Sequence, residues 1–157
     1  MIEQIYTYFS FEMIYLWTTI GVVPFWFILV FFPQSKISNI FVASIFPLLI
    51  LTFGYIYVFY LVIADDYDFI INFRLYLSID DLLELFSNKN FLLLFWIHFL
   101  SINLFCGGWI VKDSQMFNMN KILVSLPLII TYLIGPVGIT IYWVIRIFYA
   151  KRISLYD

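Results

Sequence analysis

The chain has 157 residues, of which 64% are hydrophobic and 11% charged, with a formal net charge of −2. A soluble domain carries about 25% charged residues, so this composition cannot clothe a water-facing surface and indicates a single integral membrane domain. The lack of a basic surplus argues against a nucleic-acid partner. A lone Cys106 without a Cys/His cluster argues against an intrachain disulfide or a metal site.

The chain opens with Glu3 and Glu12 and no Lys or Arg before the first apolar run. A cleaved signal peptide would need a positive start and a small-residue cleavage site, so this run is expected to stay as a membrane span. Apolar stretches at about 13–32, 40–64, 91–111 and 122–148 are each long enough to cross a hydrocarbon core of ~30 Å as helices. The expected fold is therefore all-α and polytopic, four transmembrane helices in a bundle.

Pro24 and Pro47 fall in the first and second stretches. Gly135-Pro136, with Gly138, interrupts the fourth, which predicts a kinked fourth helix because proline removes a backbone donor and crowds the preceding turn. Between the second and third spans lies an acidic loop, 65–90. Within it Ser78-Ile79-Asp80-Asp81 reads as a helix start, with acids favouring the first turn, and predicts a short interfacial helix at about 79–87. Four crossings place both termini on one side. The bias of Arg74, Lys89, Arg146, Lys151 and Arg152 over Lys36, Lys112 and Lys121 makes that side the cytoplasm of a bacterial inner membrane.

The third span carries His98 and Asn103 among apolar neighbours. Polar groups at mid-depth are costly and mark candidate sites. At about 100° per residue these two point about 140° apart, so they can border one cavity only if neighbouring helices wrap the span. His98 is the candidate catalytic acid or base, and Asn103, Trp96, Trp109, Gly135 and Pro136 are candidate pocket residues. Lys112 and Asp113 are expected at the rim. No Ser-His-Asp, P-loop, HExxH or histidine-box arrangement calls for hydrolase, nucleotide or metal chemistry, and no cofactor is expected.

In order along the chain stand Leu85-Phe86-Ser87, Trp96-Ile97-His98, Leu104-Phe105, Gly108-Trp109-Ile110-Val111-Lys112-Asp113, Leu126-Pro127 and Gly135-Pro136-Val137-Gly138. This order resembles the abscisic-acid-deficient-four-like family, and Pro24, Trp26 and Phe32-Pro33 are similar to its first-span pattern. The resemblance implies a small multi-span membrane protein. Plant members are required to form neoxanthin from violaxanthin, an epoxide opening that yields an allene. The family pattern W-x-H-x-x-A-x-D-L-F meets Ser101 and Asn103 here in place of its alanine and aspartate. An amide cannot carry a proton as a carboxylate does. Two functions follow as alternatives. One is an isomerase opening a carotenoid-like epoxide with His98. The other is a non-catalytic membrane module that binds a lipid, a carotenoid or other isoprenoid, another membrane protein or a second copy of itself.

Overall fold

Among the described residues, proline stands in the first turn of three helices and inside a fourth. The computed structural model describes residues 10–42, 44–64, 77–151 and 153–154, and every regular element among them is helical. Residues 65–76 of the acidic loop lie outside the described residues. Helix α1 covers Phe11–Gly21 and α2 covers Val23–Phe31. Pro24 stands in the first turn of α2, where its missing N–H interrupts the bonding ladder after α1 while Val22 keeps helical angles (φ −83°, ψ −19°). A π-helical turn at Ser38–Val42 precedes α3, Phe46–Ala64, which has Pro47 in its first turn. Pro24 thus marks a break inside the first apolar stretch, as the sequence suggested, whereas Pro47 starts a helix where an internal bend was expected.

Helix α4, Ile79–Ser87, begins at Ser78, whose Oγ accepts the Asp80 N–H at 3.1 Å. Helix α5, Lys89–Met116, runs for 28 residues and takes in Lys112 and Asp113. It stops where Asn118 adopts a left-handed φ of 48° and the Met119 N–H reaches back to Ser114 O at 3.0 Å. Asparagine tolerates that conformation better than most side chains, which makes it a suitable helix terminator.

The expected fourth span is two helices. Helix α6 is Lys121–Leu133 and helix α7 is Gly135–Ala150. Asn120 caps α6, its Oδ1 accepting the Ile122 N–H at 2.9 Å. At Ile134 (φ −140°, ψ 79°) the chain turns, and Ile134 O accepts from both Val137 and Gly138 N–H at 3.1 Å. A Cβ placed on Gly138 would overlap the Thr131 hydroxyl and backbone. In one continuous helix those residues would stand about 10 Å apart, so the chain doubles back. Tyr149 accordingly lines one hollow with Lys121 and Ile122. The reason is local: Pro136 cannot continue α6, and Gly138 lets α7 lie directly on it.

Among the described residues three helices are long and apolar enough to cross a membrane: Phe11–Phe31 counted through its break, Phe46–Ala64 and Lys89–Met116. Helices α6 and α7, with 13 and 16 residues, reach only ~20 and ~24 Å. This differs from an expected bundle of four crossing helices.

The chain divides into two compact units, 1–20 with 50–100 and 21–49 with 101–157. In the first, Trp96 Nε1 donates to Thr19 Oγ1 at 2.9 Å, its ring lies against Tyr15, and Phe86 meets Phe91 and Phe95 edge-on. In the second, Gly107 admits the Trp26 ring so closely that a Cβ would fall 2.8 Å from it. Pro33 ends that stretch of helix, leaving carbonyls that side chains must satisfy. Ser125 Oγ donates to Val30 O, and Gln115 Nε2 donates to Pro33 O, both at 2.6 Å.

Gly138→Ala should lower stability by about 1–3 kcal/mol, because the obstruction is backbone that cannot rotate away. Gly21→Ala, with nothing near its Cβ, should be neutral or stabilising by up to ~1 kcal/mol. Thermal unfolding of both variants in detergent measures the contrast.

Candidate functional site

Where α5 ends, a carboxylate is sealed against a guanidinium. Asp113 Oδ2 accepts from Arg146 Nε at 2.7 Å and from Tyr142 OH at 2.6 Å. Arg146 and Tyr142 lie one turn apart on α7 and so face α5 together. Arg146 is 1% exposed, Tyr142 0% and Asp113 8%. The Arg146 guanidinium also lies over the Phe117 ring at 5.1 Å and donates to Ser154 O at 3.1 Å. Tyr142 is boxed by Trp109 edge-on and by the Met119 sulfur. A buried charge with this many partners fastens α7 to α5, and the engaged carboxylate oxygen is poorly placed to take a substrate proton. Asp113 was expected at a pocket rim; the extra turns of α5 carry it inward.

Beside this network an apolar groove of about 450 Å³ runs along α5. Leu104, Phe105, Gly108 and Trp109 form one wall, and Pro47 and Leu48 of α3 with Ser44 and Ile45 form the other. Gly108 supplies width, and the exposed Lys112 puts a cation at one end.

Halfway along α5, Asn103 is 5% exposed and its side chain abuts Gly135, the first residue of α7. Its amide oxygen occupies the place a Cβ on Gly135 would take. The Nδ2 donor is buried without a hydrogen-bond partner.

The expected site residues thus separate. His98 and Trp96 belong to the first unit. His98 is exposed, with its ring 6.4 Å from that of Tyr55, and Trp96 is tied to Thr19. The second unit holds the rest: Trp109 and Lys112 at the groove, Asn103 against Gly135, and Pro136 exposed at the hairpin tip. Sequence reasoning missed Tyr142 and Arg146. Their signal was an arginine four residues beyond a tyrosine inside an apolar run, which reads as a flanking cation until a partner carboxylate is in view.

A family model described as ABA DEFICIENT 4-like matches residues 13–142, most of the chain, and the chain belongs to that family. No curated protein and no solved structure matches it.

Asp113→Leu or Arg146→Met alone leaves its partner charge buried and should cost about 3–5 kcal/mol. The double variant removes both charges and should recover most of that loss, leaving the Tyr142 hydroxyl to be satisfied. Unfolding midpoints of the four proteins in detergent form the cycle that checks the coupling.

Proposed function

We propose that this member of the ABA DEFICIENT 4-like family is an integral membrane protein that takes an apolar isoprenoid of the carotenoid type into the groove along α5 and holds it without converting it. The groove carries the reading. It is walled by apolar and aromatic side chains, widened by Gly108 and bordered by one cation, a lining suited to a long hydrocarbon with a polar end near Lys112. Isomerisation of an epoxide would need an acid and a base at the bound molecule. Among the lining residues Lys112 is the only one with an ionisable side chain. His98 belongs to the other unit, and Asp113 is held by Arg146 and Tyr142.

Purification in mild detergent, with absorbance and mass spectrometry of co-purifying molecules, tests this. An isoprenoid should accompany the wild type and fall to the detergent blank in Gly108→Leu, whose side chain fills the groove. Recovery of a rearranged epoxide product, lost on His98→Ala, would instead establish the isomerase.

The membrane arrangement consistent with this reading has α6 and α7 entering and leaving by one face. Both are too short to cross, and their outer ends meet at Lys121 and Tyr149. Three crossings then put the chain ends on opposite faces, whereas four would keep them on one. Cysteines replacing Lys121 and Lys151, in a Cys106→Ser background, should react with an impermeant maleimide from the same side. Labelling from opposite sides would mean that the segment crosses.

A further inference from the structure

The α6–α7 hairpin places a helix N-terminus against the middle of α5, beside a side chain that has a donor to offer. Asn103 stands near the midpoint of the 28-residue α5, and Gly135, the start of the 16-residue α7, lies against it. The first turn of a helix has N–H groups that the helix itself cannot satisfy, and its dipole leaves positive potential there. Ile134 O takes one of them, from Val137, as well as the ordinary helical bond from Gly138. Pro136 has none to give, so Gly135 N–H is the first-turn donor nearest Asn103.

Asn103 is 5% exposed, its Nδ2 has no partner, and that nitrogen lies 3.6 Å from the position a Cβ of Gly135 would take. Buried carboxamide nitrogens are satisfied as a rule, and an orphan next to a helix N-terminus forms a consistent set: donors and positive potential, with no acceptor. Ile134, Pro136 and Val137 around the tip are exposed, and Gly135 between them, itself buried, adds no side chain over Asn103. Short helices that start inside a membrane present their N-termini to electronegative ligand atoms in this way.

We infer that the hairpin tip, Asn103 with Gly135, is a recognition site for an oxygen acceptor, a carbonyl or ether-type oxygen, on an otherwise apolar isoprenoid. The inference rests on the proposed isoprenoid-binding function and goes beyond the groove, adding a polar point of contact at residues that do not line it. A neutral oxygen acceptor satisfies the carboxamide at little desolvation cost, whereas a charged carboxylate would have to leave water to reach mid-span.

Two isosteric probes test it on the full chain in lipid nanodiscs. Phytone is an isoprenoid methyl ketone, and pristane is the hydrocarbon with CH–CH3 in place of its C=O. Wild-type protein should bind phytone about tenfold more tightly than pristane, the factor expected of one buried hydrogen bond. The bound carbonyl stretch should shift to lower frequency in the infrared. Asn103→Leu should erase both the preference and the band shift while unfolding no earlier than wild type, because it removes a donor that had no partner. Asn103→Ala, which adds no bulk, should do the same. His98→Ala should change neither. Equal binding of the two probes to wild type, or a preference that survives Asn103→Leu and Asn103→Ala, overturns the tip site and leaves the isoprenoid-binding function standing. Failure of wild type to bind either probe removes both.

Discussion

A charge pair inside an apolar body cannot be half made, and the second unit of this protein is arranged around that constraint. Stripping Arg146 from water is costly unless its guanidinium finds a carboxylate and further acceptors. Asp113 supplies the carboxylate, Ser154 a carbonyl and Phe117 an aromatic face. To bring Asp113 there, α5 must run on past Lys112 to Met116, and to bring Arg146 there, α7 must lie along α5. The Asn118 terminator, the Asn120 cap and the hairpin at Ile134 then follow as the means by which a short chain returns to the carboxylate. The pair gives register to helices whose apolar faces alone would slide.

What was legible in the residues follows from the range of the physics involved. Composition makes the protein helical and gives four stretches of crossing length, three of which correspond to helices of that length among the described residues, because those are bulk properties. The Ser78 start of α4 can be read from sequence because a hydroxyl two residues before its donor is a local geometry. Proline was read by its usual interior effect, a kink, yet Pro24, Pro47 and Pro136 all stand in first turns. Hydropathy cannot separate a kinked helix from a hairpin, since Ile134 interrupts neither the apolar run nor its length. The distinction lies in Gly138 meeting Thr131, a tertiary contact.

The candidate site divides in the same way. Asn103 is visible as a polar residue at mid-span, and Gly135 as a break, but their meeting depends on the hairpin. His98 is just as conspicuous in the sequence and finds an aromatic neighbour on an exposed face. Rarity inside an apolar segment therefore did not by itself locate a buried site. The groove residues Leu104, Phe105 and Gly108 were invisible as a group because apolar residues carry no signal in an apolar helix.

The exchange of the family pattern's aspartate for Asn103 takes on a physical meaning at the start of α7. A carboxylate at that place would be an acceptor facing the positive end of a helix, and the first-turn N–H groups would satisfy it without any ligand. An amide of the same shape keeps one acceptor oxygen toward Gly135 and turns the other arm into a donor that the fold leaves unmet. The substitution therefore changes what the position asks of its surroundings: a closed charge–dipole contact becomes an open hydrogen-bond donor. With an amide there, the position offers a hydrogen bond where a carboxylate would offer a proton acceptor.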